Sequence, residues 1–184
     1  RSSDKRENDH LASLKNLIEK AKNVPFHSAR LNYEVHTLND LQKIDVFRKS
    51  DLIELQKKNL PFGNLNFKEI SEFSHIYRSP GPIYDLDGYG TNWWRFARAL
   101  NAAGFNKEDI VQNCFSYHFT PAGMMFDEAA KILKCTVFPA GGENSDMQAE
   151  IMSEINATGY VGIPDFLKIV IEKAEKNKLP INNL

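Results

Sequence analysis

The tetrapeptide Ser-Pro-Gly-Pro that begins at Ser79 offers a hydroxyl and a glycine where a loop could contact a phosphate. It follows a strand-like run ending at Arg78 and precedes a helix that we predict to start near Thr91 or Asn92. A strand, a tight loop and a helix N-terminus can together direct backbone N–H groups at an anion. Each proline removes one such donor, so the phosphate candidates are Ser79 and Gly81, and a rigid surface turn is the alternative.

A second group of candidate residues, Tyr117, His118 and Phe119, follows a predicted strand that runs from Asp109 to Phe115. Ligands of parallel sheets gather at the carboxyl ends of strands, which favours pocket lining by the two aromatic rings. Core packing is the alternative for both rings. His118 could serve as a base or a ligand, but no carboxylate or cysteine stands at metal spacing from it. A packing histidine is the alternative, and the sequence assigns neither a catalytic residue nor a metal site.

The elements that must position these residues alternate between strand and helix from residue 75 onward. Four predicted strands, each followed by a helix, indicate an α/β fold with a mainly parallel sheet, flanking helices and right-handed crossovers. The predicted strands are 75–78, 109–115, 135–138 and 160–163.

The part of the chain before residue 75 shows only short helices and loops. Thr37 with Asp40 three residues later predicts a capping box at the start of a short helix. We therefore expect a disordered tail over 1–9, a helical N-terminal segment over 10–74 and an α/β subdomain over 75–184.

The length, net charge and apolar content of the chain argue against several classes of function. The 184 residues suffice for one domain, and a net charge of −1 gives no electrostatic case for nucleic acid or an anionic membrane. No apolar run reaches the roughly 20 residues that span a bilayer, and the charged first residues lack a signal peptide's apolar stretch, so we expect a cytoplasmic protein. Cys114 and Cys135 lie in apolar runs and favour buried reduced thiols, with a disulfide between them as the alternative.

Four segments, taken in order and spacing, resemble the N-terminal part of the phenylacetate–CoA ligase family of adenylate-forming enzymes. The likeness covers roughly residues 10 to 178. The segments are Lys-Asn-Val-Pro-Phe at 22–26, Asn-Leu-Pro-Phe-Gly at 59–63, the run from Gly104 to Asn113, and Lys-Cys-Thr-Val-Phe-Pro at 134–139.

The resemblance implies adenylation of a carboxylic acid by ATP and transfer of the acyl group to CoA, with Mg²⁺ beside the phosphates. It places Ser79 and Gly81 in the phosphate loop, although the family's Ser-Ser-Gly-Thr-Thr-Gly-Lys-Pro is replaced here by the variant Ser-Pro-Gly-Pro-Ile-Tyr. It also places Tyr117, Phe119 and His118 in the pocket for an acid, which we expect to be aromatic.

Family members continue beyond the point matched by Leu184 with an adenine-binding strand and a C-terminal domain that carries a lysine. We therefore expect an incomplete ligase fold that is inactive alone. The alternative is a non-catalytic interaction module that forms a homo-oligomer or pairs with a separate C-terminal half. A carboxylic acid is the expected small-molecule partner, and neither nucleic acid nor membrane is expected.

Overall fold

The computed structural model describes residues 1–90 and 92–184 and divides the chain into two units, Arg1–Leu86 and Asp87–Leu184. The division falls within a strand and lies C-terminal to the boundary that we expected at residue 75. Within the described residues, no helix combines the length and the apolar character that a membrane crossing needs.

The first unit is mainly helical. Its helices are α1 (Ser3–Ala21), α2 (Pro25–Ser28) and α3 (Lys49–Lys58), with 3₁₀ helices at Leu38–Lys43 and Ile70–Glu72. The predicted capping by Asp40 is confirmed, because its carboxylate accepts the backbone N–H groups of His36 and Thr37 at 2.8 Å each. The core of this unit is built on Ile18, Leu31 and Val35.

The expected disorder of residues 1–9 is wrong, because α1 begins at Ser3. The hydroxyl of Ser2 accepts the backbone N–H of Lys5 and caps the helix, and Asp4 places a negative charge in its first turn. The first turns of α1 are therefore helical although they are charged and have no apolar face; the residues that pack against the core lie further along the helix.

The strand predicted at His75 does exist, as β1 (Phe73–Arg78), but it does not join the parallel sheet. It pairs with β2 (Tyr84–Gly88), a strand that the sequence analysis missed, in a separate two-stranded sheet. Since parallel neighbours need a long crossover, the short loop 79–83 favours pairing with the next strand along the chain. The mainly parallel sheet is confirmed for the other three predicted strands only.

The second unit contains that parallel sheet, with β3 (Ile110–Asn113) between β4 (Thr136–Pro139) and β5 (Gly159–Val161). Four helices accompany it: α4 (Ala97–Ala102), α5 (Ala122–Ile132), α6 (Ser145–Glu154) and α7 (Pro164–Asn177). The architecture is therefore α/β with flanking helices, as predicted.

The helix α4 begins at Ala97, later than the predicted start. Thr91 lies outside the described residues, while Asn92 and Arg95 have φ angles of 62° each. Left-handed residues cannot continue a right-handed helix, so the helix forms only beyond them.

Alternate residues of β3 face different helices, as the pleat of a strand requires. Val111 packs in a core cluster with Ala129 and Ala130 of α5. Gln112, the next residue, instead bonds Gln148 of α6. Asn113, on the same face as Val111, donates to the carbonyl of Gly123 in α5. The central strand therefore has one polar link to each helical layer, and both links lie near the carboxyl edge of the sheet.

Candidate functional site

A cavity of about 510 Å³ opens at the carboxyl edge of the parallel sheet. Two loops bound it, one that follows β3 and one that joins β4 to α6. The lining residues are Ser116, Tyr117, His118, Pro139, Ala140, Gly141, Gly142 and Glu143. The cavity thus lies where the predicted topology places ligands.

Tyr117 is anchored through its hydroxyl. The hydroxyl oxygen accepts the Nδ2–H of Asn113 at 2.8 Å, and the O–H donates to Oδ1 of Asp127 at 3.4 Å. Burial and the charge of Asp127 raise the pKa of the Tyr117 phenol above its ordinary value, so the phenol stays neutral. Because its hydroxyl is already engaged, Tyr117 can offer the cavity an aromatic surface rather than an acid or a base.

The other two candidates of this loop are placed differently. His118 is exposed and lines the cavity, and its backbone N–H donates to the Ser116 hydroxyl at 3.1 Å. Phe119 is 83% exposed, has a φ angle of 61° and does not line the cavity. The structure therefore brings Tyr117 and His118 together and leaves Phe119 outside.

Two polar residues that the sequence analysis did not assign to a site, Asn113 and Gln148, hold the cavity walls. Asn113 is buried, and its Nδ2 donates to the carbonyl of Gly123 in α5 at 2.8 Å, as well as to Tyr117. Gln148 is buried in α6 and donates to the carbonyl of Gly141 at 2.8 Å. The detectable signal was the polar pair of Gln112 and Asn113 inside an otherwise apolar strand.

The phosphate candidates Ser79 and Gly81 lie in the first unit. The Ser79 N–H donates to the carbonyl of Ile83 at 2.9 Å, and the Ser79 hydroxyl accepts the Ile83 N–H at 3.3 Å. With prolines at 80 and 82, the backbone N–H of Gly81 is the donor that the loop does not bond internally within the described residues. A single backbone N–H donor is too few to bind the phosphates of a nucleoside triphosphate, so no chemical step is assigned to this loop.

The strand after this loop is also fixed in place. The carboxamide of Gln56, a buried residue of α3, accepts the N–H of Tyr84 and donates to its carbonyl, each at 2.8 Å. The side chain thereby imitates the edge of a neighbouring strand. Together with the Ser79 bonds, it makes the loop a closed turn held at its C-terminal end.

The described part of the chain shows no cluster of side chains that could bind a metal ion. No group of three His, Cys, Asp or Glu side chains there is placed to hold an ion. No described residue is therefore assigned to Mg²⁺.

Both cysteines are free thiols and both are buried. Burial raises the pKa of the Cys114 thiol to about 11, while hydrogen bonding within its polar surroundings opposes that rise. The thiolate is the reactive form, so Cys114 is chemically quiet in the folded chain.

We expect iodoacetamide to alkylate Cys114 about 100-fold more slowly at pH 8 in the native chain than in urea, because the thiolate population falls with the pKa shift. The raised pKa also means that the folded state loses stability relative to the unfolded state as pH rises above the ordinary thiol pKa. Mass spectrometry of the labelled peptides measures both rates. Equal native and denatured rates would contradict the buried placement.

Comparison with known proteins agrees with the resemblance read from the segments. No family model matches the chain. The phenylacetate-coenzyme A ligase of Aromatoleum evansii is 24% identical over 153 residues, which cover 78% of this chain and 33% of that protein. The enzyme of the same name from Escherichia coli strain K12 is 26% identical over 146 residues, or 76% of this chain and 32% of that protein.

Solved structures give the same fold. A 2-hydroxyisobutyryl-CoA ligase in complex with 2-HIB-AMP in the postadenylation state superposes with a TM-score of 0.83 at 22% identity, over 98% of this chain and 41% of that one. The open conformation of a 2-hydroxyisobutyryl-CoA ligase, in complex with 2-HIB-AMP and CoA, gives a TM-score of 0.80 and covers 97% of this chain and 42% of that one. The likeness to these structures shows the fold.

The chain spans about a third of the length of the curated relatives that it matches, at 33%, 34% and 32%. It covers about two fifths of the solved ligases, at 42% and 41%. In sequence the chain is similar to phenylacetate-coenzyme A ligases, and in fold to 2-hydroxyisobutyryl-CoA ligases, in each case over part of their length.

Proposed function

We propose that the chain is the N-terminal portion of an acid–CoA ligase and that its cavity receives the acyl group of a carboxylic acid. The observation that carries this proposal is the cavity at the carboxyl edge of the sheet, lined by Tyr117 and His118 from one loop and by residues 139–143 from the other. In the reaction the carboxylate attacks the α-phosphate of ATP, which releases pyrophosphate, and the thiol of CoA then displaces AMP.

An aromatic acid suits this cavity best. The hydroxyl of Tyr117 already holds its ring in place, so the ring loses little further conformational entropy when it packs against an aryl group. His118 is the basic side chain among the lining residues, and Glu143 is the acidic one. An imidazole N–H can donate to a carboxylate, whereas a Glu143 carboxylate repels one, which favours an acid whose carboxylate lies toward His118 and away from Glu143.

Ser79 and Gly81 remain the proposed phosphate contacts of the first unit. To donate its proton to a phosphate, the Ser79 hydroxyl must leave the carbonyl of Ile83, to which it donates at 3.4 Å. We therefore propose that ATP contact here is weak within this chain alone, and that turnover needs segments that the full-length relatives supply.

A titration of the ¹⁵N-labelled chain with phenylacetate tests the acid site. We expect saturable amide shifts confined to 116–118 and 140–143, and roughly fivefold weaker affinity in Tyr117→Ala, since one aromatic contact contributes about 1 kcal/mol. Tyr89→Ala is the matched control, because Tyr89 is 75% exposed in the same unit. With ATP, Mg²⁺ and CoA added to the same sample, AMP release should stay at background.

A second candidate function, the interaction module, is favoured by the open edges of the sheet. Within the described residues β4 and β5 each pair with β3 alone, and such edges can accept a strand from another chain. Light scattering on the titration sample separates the two candidates. A dimer that shows no shift with phenylacetate would favour the interaction module and overturn the acid site.

A further inference from the structure

The wall formed by residues 140–143, between β4 and α6, has its shape imposed by one carbonyl and one side chain. The N–H groups of Ala140 and Gly141 both donate to the carbonyl of Asn113 at 3.0 Å. Their own carbonyls, together with that of Glu143, accept Nε2 of Gln148 at 3.2, 2.8 and 3.0 Å. A segment with two glycines and no regular hydrogen-bond pattern is thereby held at five points.

The orientation of the Gln148 carboxamide is determined by its other end. Its Oε1 accepts Nε2 of Gln112 at 2.6 Å and the thiol of Cys114 at 3.1 Å. A flipped amide would place oxygen against the carbonyl oxygens of the wall and nitrogen against the Gln112 amide. Both ends of the side chain therefore require the same orientation.

Gln112 provides a second, independent observation. Its side chain is fully buried, and its Oε1 has no hydrogen-bond partner within the described residues. A buried unpaired acceptor is costly and is retained where the rest of the side chain is needed. The needed part is the NH₂ group, which donates to the side chain and to the main-chain carbonyl of Gln148.

We propose that Gln148 is a positioning residue, which holds the 140–143 wall of the cavity in place while Gln112 and Cys114 orient its carboxamide. The proposal rests on the proposed function in one respect: the wall determines how the acid lies only if the cavity receives an acid. Glutamine suits this role because it combines an acceptor with an NH₂ group that can be shared among three carbonyls. A glutamate would instead direct a carboxylate at the same three oxygens.

Amide hydrogen exchange of the full chain tests the proposal directly. In Gln148→Met, which has a similar length and no donor, we expect the amides of Ala140 and Gly141 to exchange about tenfold faster, because the wall opens locally. The amides of β3 should change by less than about twofold, since they open with the whole unit. Glu150→Met, an exposed position on the same helix, is the matched control and should leave the wall unchanged.

The variant Gln148→Glu adds a readout that a purely structural role would not give. Once protonated, the introduced carboxyl regains one O–H donor, so wall protection should partly return as pH falls, after correction for intrinsic exchange. Should Gln148→Met fail to fold, Gln112→Met decides, with an expected change of about threefold at the same two amides. Unchanged or uniformly faster exchange would overturn the proposal.

Phenylacetate affinity is measured separately on the same variants. Weaker binding in Gln148→Met than in the parent chain supports the link between the wall and the acid. Absence of binding in the parent chain would count against the proposed function, while the exchange result would still decide the role of Gln148.

Discussion

Replacing Gly123 by alanine is expected to lower the free energy of unfolding by roughly 2 to 3 kcal/mol, as overpacking against a rigid neighbour does. A Cβ at this position would lie 2.5 Å from the carbonyl oxygen of Ser116 and 2.9 Å from Cδ2 of Tyr117. The N–H of Gly123 also donates to that same oxygen at 3.0 Å, which draws the two backbones together. The loop must therefore move, and the Tyr117 wall moves with it.

An opposing effect has to be weighed. Gly123 lies in α5, where alanine is intrinsically favoured over glycine by about 1 kcal/mol. The clash outweighs this gain because the nearest atoms are backbone and cannot rotate away. Urea unfolding measures the net effect.

Gly142→Ala is the matched control for Gly123→Ala. Its Cβ would meet only the carbonyl oxygen of Cys114, at an ordinary 3.5 Å, and Gly142 does not have a left-handed φ angle. We expect a change within about 0.5 kcal/mol there. A Gly123→Ala chain as stable as the parent would show that the close approach is absent in solution.

Asn113→Asp should be the most damaging single-atom exchange in the second unit, with an expected loss of about 3 to 5 kcal/mol at pH 7. The side chain is 1% exposed, and its Nδ2 donates to the carbonyl of Gly123 and to the Tyr117 hydroxyl. An aspartate would still accept the N–H of Phe115, as Oδ1 of Asn113 does at 3.2 Å, but its negative charge would have no bonded cation and would lie against the carbonyl oxygen of Gly123. It would also lie near Asp127, which already accepts from Tyr117.

The pH dependence of this variant has a defined sign. Burial without a cation raises the pKa of the introduced carboxyl above its unfolded value, so the folded state binds a proton at higher pH than the unfolded state. The deficit relative to the parent chain should therefore shrink between pH 7 and pH 5. Urea unfolding at both pH values measures it, with Asn183→Asp, an exposed position in the same unit, as the control. A deficit equal at both values would contradict the buried charge.

Several features of this chain were readable from short segments. The apolar runs around Val111, Val137 and Tyr160 predicted three strands, and each does lie in the parallel sheet. Helix and strand periodicity depend on neighbours within a few residues, which the sequence displays directly. The same order of elements supported the likeness to the ligase family and the expectation of a site at the carboxyl edge.

Pairing partners were less readable. The strand at 73–78 looked like a member of the parallel sheet, but it pairs with 84–88. Strand propensity indicates that a segment extends and says nothing of which edge it joins. The exposure of Phe119 was likewise hidden, because an aromatic residue in a loop looks the same whether it points inward or outward.

By itself, the sequence determined the α/β class, the order of strands and helices, and the loops that meet at one edge of the sheet. Only the tertiary structure decided that Gln148 holds the cavity wall, that Gly123 lets α5 approach the backbone of Ser116, and that the Ser79 hydroxyl forms a hydrogen bond with Ile83. Local patterns reflect neighbours along the chain, whereas Gln112 and Gln148 meet across 36 positions. Contacts of that span depend on how the helices pack on the sheet, and no short segment encodes that packing.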